Sequence, residues 1–307
     1  MPPSLLPETA FEYDVSIVIC TRNRGAELTA FLTGVGAADV PEGRRVELVM
    51  IDNGSTDATA QLIAETTLPN VDLRYVFAPD RGKSRAFNAG VKSARGRVLL
   101  LSDDDVLVPR NWVEEMCGPI LSGAADVVQG GVRLAPHLNP PWLKGVLRIW
   151  VAAVEDPDFA PIGVVGANVA MSRAAFDAVG PYDERLGPGA AGFFEDTVLG
   201  LALEKAGFKK LFRPEISVEH HFRPDRLTLR SFMATAQSMA VSRVVADRQI
   251  DPNLRKPSVW ALLVEVPGLA IRCLTQLAHL ATDGHPDAGF ISRYYRLKLW
   301  QERHRAV

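Results

Sequence analysis

Apolar residues along this chain fall into short blocks separated by helically spaced stretches. Residues 15–20, 46–51 and 97–102 are rich in Val, Ile and Leu without helical spacing, the mark of buried strands, and 72–77 reads as a further strand. Helical spacing over 26–35, from Ser55 or Thr56 as cap to about 67, and over 82–94 fills the gaps. This βαβαβαβ order predicts an open parallel sheet with right-handed crossovers. A helix at 109–121, strands at 126–132 and 164–171, a helix at 173–179 stopped by Gly180 and Pro181, a helix at 197–206 and a strand at 216–221 follow. From 227 onward the pattern is helical throughout, over 227–248, 257–281 and 290–303. The expected architecture is α/β, with one domain over 1–222 and a helical C-terminal extension over 223–307.

What ends each strand carries the chemistry. Thr21 and Arg22 follow the first, Asp52 the second, Asp80 and Arg81 the third, and Asp103, Asp104 and Asp105 the fourth. Polar groups therefore gather at the carboxyl edge, where open α/β sheets bind ligands. Three adjacent carboxylates repel one another and are costly to bury, so a divalent cation at the strand end is one reading. An acidic loop capping the next helix through Asp105 is the other. The first turn lacks Gly-x-Gly-x-x-Gly and no P-loop occurs, which makes a metal ion the better candidate for a diphosphate binder.

Downstream, residues 133–161 form a Pro- and Trp-rich segment that reads either as a lid or as a surface excursion stapled by Trp142. Residues 187–192 hold three glycines and are expected to be mobile; Glu195 and Asp196 then open a helix whose dipole favours carboxylates. His220 shares a strand face with Ile216 and Val218, as a core residue or as a metal ligand in a cleft.

The chain has 307 residues, 47% of them apolar, enough for a substantial core. Its three cysteines are widely spaced, so neither a disulfide framework nor a zinc cluster is indicated, and a cytoplasmic setting fits. The first residues show no basic start or apolar run, so a signal peptide is not expected. Net charge is −2 but unevenly spread: residues 1–222 carry 21 Lys/Arg against 29 Asp/Glu, a net of −8, and residues 223–307 carry 13 against 7, a net of +6. The helix at 257–281 is apolar over much of its circumference, with Glu265, Arg272 and His279 on one polar stripe and a kink expected at Pro267 and Gly268. Burial against the body, a homodimer contact or peripheral contact with a membrane would each satisfy such a helix.

Taken together, Val-Ile-Cys-Thr-Arg-Asn-Arg at 18–24, Asp-Asn-Gly-Ser-Thr-Asp at 52–57, Gly-Lys-Ser-Arg-Ala-Phe-Asn-Ala-Gly at 82–90, Asp-Asp-Asp at 103–105, Phe-Phe-Glu-Asp at 193–196 and His220 resemble the family 2 glycosyltransferases over about 1–222. The resemblance implies the GT-A fold, a Rossmann-like open mixed sheet flanked by helices, and a nucleoside-diphosphate sugar donor, UDP or dTDP favoured. It implies donor contacts from Thr21, Arg22, Asp52, Asp80, Lys83, Arg85, Asp103 and Asp104. Asp103 and Asp105 match the ends of the Asp-x-Asp motif that holds Mn²⁺ or Mg²⁺, with His220 as a further ligand. Glu195 and Asp196 match the Glu-Asp pair whose Asp is the usual catalytic base in an inverting displacement. Asp80 stands where many members carry Asn, and Phe87 where many read Arg. No Gln-x-x-Arg-Trp follows Asp196, so a non-processive enzyme is expected, with an unidentified hydroxyl acceptor and no nucleic-acid partner. The alternatives are a metal-dependent nucleotidyltransferase, which should show a Gly-rich basic loop after the first strand, and a non-catalytic carbohydrate-binding relative.

Overall fold

A computed structural model describes residues 11–25, 27–158, 160–250, 257–258, 260–282 and 284–306. The first four predicted strands form β1 (Tyr13–Thr21), β2 (Val46–Asp52), β3 (Asp72–Phe77) and β4 (Gly96–Asp103), with α1 (Leu28–Ala37), α2 (Thr59–Glu65) and α3 (Lys83–Ser93) between them. β1 pairs in parallel with β2 and β4, and β2 with β3, as the crossover pattern requires. Side chains alternate across this sheet. Ile17, Leu48 and Leu100 pack with Phe31 and Trp112 on one face, while Val18, Val49 and Leu101 pack with Phe87, Phe176 and Leu199 on the other. Both faces of β1, β2 and β4 are therefore dry, which is why those three strands read as unbroken apolar runs, whereas β3, at the edge of the sheet, is half-exposed, with Phe77 57% accessible.

The second half makes the sheet mixed. β5 (Val106–Leu107), β6 (Val127–Leu134), β7 (Asn168–Ser172) and β8 (Lys210–His220) complete the order β3-β2-β1-β4-β7-β6-β8-β5. β7 runs antiparallel to β4 and β6, and β5 antiparallel to β8. The strand expected over 164–171 begins only at Asn168, because backbone groups before it serve side chains: Val165 N–H donates to Gln129 Oε1 (2.7 Å) and Gly166 N–H to Asp196 Oδ2 (2.9 Å). β8 starts earlier than expected, at Lys210, and its ladder with β6 slips between Gly130, opposite Arg213, and Gly131, opposite Ser217. α4 (Trp112–Leu121), α6 (Arg173–Val179) and α7 (Glu195–Lys205) cover this half; Ser172 Oγ caps α6 by accepting from Ala175 N–H, and Gly180 ends it at φ 87°.

These elements form one compact unit, of residues 11–135, 153–184 and 195–221, and a second unit gathers 136–152, 185–194 and 222–306. Within the second, α5 (Val146–Trp150) and the long helices α8 (Leu229–Ile250), α9 (Trp260–Thr282) and α10 (Ala288–Ala306) pack together. Trp142 stacks on His285 at 5.2 Å and Trp150 meets Tyr295 edge-on at 5.6 Å, so the Trp-rich segment is stapled to the helices as the surface-excursion reading expects. The 187–192 segment, expected to be mobile from its glycines, is pinned instead: Phe193 N–H donates to Ser242 Oγ (3.1 Å), whose hydroxyl donates to the Ala191 carbonyl (2.7 Å). α9 runs through Pro267 and Gly268 as one helix. Among its described residues, Ile271 is 64% and Leu274 70% exposed. Among the described residues no helix is long and apolar enough to cross a membrane. Cys20, Cys117 and Cys273 are all free thiols.

Candidate site at the carboxyl edge of the sheet

Parallel pairing brings the strand ends into line: Thr21 lies opposite Asp52, and Cys20 opposite Asp103. Asp52 is 1% exposed and fixed from both sides, accepting from Ser55 N–H (2.7 Å) and from the Tyr75 hydroxyl (3.0 Å). Asn53 beside it donates to the carbonyls of Ala78 (2.9 Å) and Asp80 (2.6 Å) and accepts from Gly82 N–H (3.2 Å). It thereby ties the turn after β2 to the loop that opens α3. Asp80 joins this network through its backbone, and its side chain is exposed. Arg22 is half-buried and makes no ion pair among the described residues.

The acidic triplet divides its partners. Asp103 ends β4 and is ion-paired with Lys83, from the first turn of α3. Burial works against the Lys83 ammonium, but the Asp103 carboxylate, followed by Glu195, holds its pKa above the ordinary lysine value. Asp104 is buried and accepts from the Thr21 hydroxyl (2.6 Å); burial, then the neighbouring Asp105 charge, push its pKa up to about 6. Asp105 lies in the turn to β5, which excludes the helix-capping reading, since α4 begins only at Trp112. Its Oδ2 accepts from Arg24 Nη2 (3.2 Å), and its Oδ1 stands 3.4 Å from Nε2 of His220, which is 3% exposed. Burial opposes ionisation of Asp105, but His220 and Arg24 prevail and hold its pKa well below the ordinary range.

The pairing of Val106 with His220 in the β5–β8 ladder is what brings the histidine beside Asp105. Two donors at this spacing suit one divalent cation. Among the described residues no third His, Cys, Asp or Glu converges with them, so a cation here would complete its shell with water and ligand oxygens, the habit of Mg²⁺ beside phosphates.

Glu195 and Asp196 open α7, half-buried. Asp196 accepts from Gly166 N–H (2.9 Å) through Oδ2 and from Thr197 N–H (2.6 Å) through Oδ1, so its carboxylate is held rigidly. Burial raises its pKa, those two N–H groups and the Lys83 charge lower it, and the net direction is up. Burial, then the charge of Asp196, push Glu195 up to about 8. Lys83 and Asp103 act on both groups, so the pair shares one electrostatic neighbourhood with the strand-end cluster.

Arg85 makes an exposed ion pair with Glu184 (3.0 Å). Four participants were not picked out as site residues from sequence: Arg24, Asn53, Tyr75 and Asn88, whose amide donates to the Tyr182 carbonyl (3.0 Å). Three of them stand inside the motifs quoted above, and that was the available signal; Tyr75 sits mid-strand and gives none.

Comparison with known proteins bears on this arrangement. Residues 16–178, more than half of the chain, match the family described as glycosyl transferase family 2. The succinoglycan biosynthesis protein ExoM of Rhizobium meliloti is 26% identical over 225 residues, 70% of this chain and 69% of that protein. The N-acetylglucosaminyl-diphospho-decaprenol L-rhamnosyltransferase of Mycobacterium tuberculosis is 28% identical over 238 residues, 67% of this chain and 75% of the relative. In fold, the chain resembles the mannosyltransferase PcManGT of Pyrobaculum calidifontis, solved with GDP-Man and Mn²⁺, at a TM-score of 0.60 and 18% identity, covering 100% of this chain and 89% of the other. It also resembles residues 1–349 of TarS from S. aureus, solved with UDP-GlcNAc, at a TM-score of 0.51 and 15% identity, covering 95% and 92%. The sheet order and its flanking helices are thus those of a GT-A fold. This chain belongs to glycosyl transferase family 2 and is a glycosyltransferase.

Proposed function

We propose that the chain is an inverting, metal-dependent and non-processive enzyme that moves one sugar from a nucleoside-diphosphate donor to an acceptor hydroxyl. The observation that carries this reading is the meeting of Asp105 and His220 at the edge that also presents Asp52, Asp103 and Lys83. Asp52, with Thr21 and Arg22 beside it, would take the base and ribose, and Asp103 and Asp104 the ribose and donor sugar. Asp105 and His220 would hold Mn²⁺ or Mg²⁺, which when bound neutralises charge on the departing diphosphate, while Asp103 stays paired with Lys83. Lys83 supplies a fixed positive charge toward the same diphosphate, and Arg85 and Asp80 would border it from the exposed side.

Asp196 takes the acceptor proton. Two backbone N–H groups fix its direction, and its raised pKa makes it a stronger base than a free aspartate. One displacement from the face opposite the leaving group inverts the anomeric centre, and no second nucleophilic carboxylate is called for. Glu195, with its pKa near 8, is mostly protonated at neutral pH and leaves Asp196 as the anion of the pair. The division of labour follows the sequence: 1–222 for donor and catalysis, 223–307 for acceptor, oligomer or membrane contacts. The mycobacterial relative's name specifies a decaprenol-linked acceptor, which favours a lipid-linked glycan here too.

The test is turnover with UDP-, dTDP- and GDP-sugars in the presence of Mn²⁺ or Mg²⁺. The expected product is the nucleoside diphosphate, with an inverted anomer by NMR. Pyrophosphate release in a parallel assay with a nucleoside triphosphate and a sugar 1-phosphate would identify a nucleotidyltransferase, and donor binding with no turnover under any acceptor would identify a non-catalytic relative.

A further inference from the structure

In α9 the usual polarity of a surface helix is inverted. Gln276 is only 4% exposed, whereas Leu274 and Leu277 beside it are 70% and 62% exposed. The inward side is polar and engaged: Glu265 accepts from Arg296 Nε (2.8 Å) and Arg293 Nη1 (3.5 Å) of α10. Gln276 accepts from Asp287 N–H (2.8 Å) and donates to the His285 carbonyl (3.2 Å). Gly268 makes room for the Arg293 guanidinium, which a Cβ there would meet at 2.0 Å. These contacts fix the rotation of the helix about its own axis.

The outward side is apolar. Trp260, Val266, Ile271, Leu274 and Leu277 are 50% to 74% exposed, and Pro267, Ala270 and Ala278 are exposed among them. At the α-helical repeat these positions share one arc of roughly 140° that contains no charged residue. A continuous apolar arc of this kind marks a contact surface.

Charge selects the occupant. Residues 223–307 carry 13 Lys/Arg against 7 Asp/Glu, and Arg255 and Lys256 immediately precede α9 in sequence. A second copy would set that positive excess against itself, whereas an anionic bilayer attracts it. Trp260 at the helix start suits the headgroup boundary, and α9 is no spanning segment, which leaves it lying in the plane of the surface. We propose that α9 docks this enzyme on an anionic lipid surface, its outward arc sunk among the acyl chains and the basic tail at the headgroups.

The test is flotation of the full chain with phosphatidylcholine vesicles, with and without about one third phosphatidylglycerol. The wild type is expected to float with the anionic vesicles and to be released by high salt. Leu274→Glu/Leu277→Glu should lower the bound fraction roughly tenfold or more, since charges in the arc oppose insertion. Both sites are exposed, so circular dichroism and donor turnover without vesicles should be unchanged. Trp260→Ala, which adds no charge, should give a smaller loss. The inference is overturned if the wild type ignores anionic vesicles, if the double variant floats as well as the wild type, or if light scattering shows a dimer that the double variant splits. None of these outcomes bears on turnover, so failure here and failure of the catalytic reading are separable.

Discussion

Asp105 Oδ1 and His220 Nε2 lie 3.4 Å apart at the edge of the sheet, brought together by a two-residue ladder between β5 and β8. If the two share a cation, each is needed for it. Calorimetry with Mn²⁺ and a nucleoside diphosphate should show binding lost in Asp105→Ala. His220→Ala should weaken Mn²⁺ binding by at least about tenfold, the lower end of what removing even a supporting group costs. Unchanged Mn²⁺ affinity in both variants would refute the shared site.

Asp196→Asn keeps the shape of the side chain and removes the base proposed above. Its kcat should fall by about 10²- to 10⁴-fold, the usual worth of general-base catalysis, with donor affinity retained. Loss of donor affinity in parallel with kcat would assign Asp196 to binding.

Glu195 gives the opposite expectation. With its pKa pushed up to about 8 by burial and by Asp196, it is mostly neutral at pH 7, so Glu195→Gln should keep most of its activity there. A carboxyl whose folded-state pKa is raised stabilises the fold below its unfolded pKa and loses that contribution as pH climbs toward the folded value. The Tm of Glu195→Gln should therefore overtake that of the wild type between about pH 5 and pH 8. Thermal melts across that range check the sign.

If Asp196 is the base, the acid limb of the kcat profile is its titration. Because burial raises its pKa, activity should disappear on acidification at a pH above the ordinary aspartate value of about 3.9. A limb at or below that value would exclude Asp196 as the titrating base.

α7 sits so close to the segment before β7 that a Cβ on Gly200 would meet the Val164 nitrogen at 2.3 Å and Gly163 Cα at 2.6 Å. Gly200→Ala must push the helix outward, and with it the start that carries Asp196. A loss of about 1–3 kcal/mol in urea unfolding is expected from such overpacking, with a lower kcat. An alanine variant as stable as the wild type would mean that the helix shifts freely.

The first half of the fold was legible because three of its strands are dry on both faces: the runs ending at Cys20, Ile51 and Ser102 could be nothing amphipathic. The acidic triplet was legible for the complementary reason, three charges following an apolar strand. The mixed half was harder to read. Gly166 gives its N–H to Asp196 and so is lost to the ladder, and nothing in sequence announces that exchange. Arg24 gives no sequence signal of its contact with Asp105, because that contact joins residues 81 positions apart. The polar stripe of α9 was visible in Glu265, Arg272 and His279, but a stripe alone does not say which side faces inward. That was decided by Arg296 and Asp287 on neighbouring segments.

The slip in the β6–β8 ladder has a consequence for distance. Carried straight on from Gly130 opposite Arg213, the pairing would set Leu134 against Ser217; with the slip it sets Leu134 against His220. The difference is three strand residues, about 10 Å of travel. Gly131 permits the detour, because a Cβ there would strike the Pro214 carbonyl oxygen at 2.3 Å and the Ser217 hydroxyl at 2.1 Å. The detour takes up slack, reeling the imidazole back to the turn after β4. A chain with the same residues and a regular β8 would keep its sheet while its histidine overshot the carboxylate.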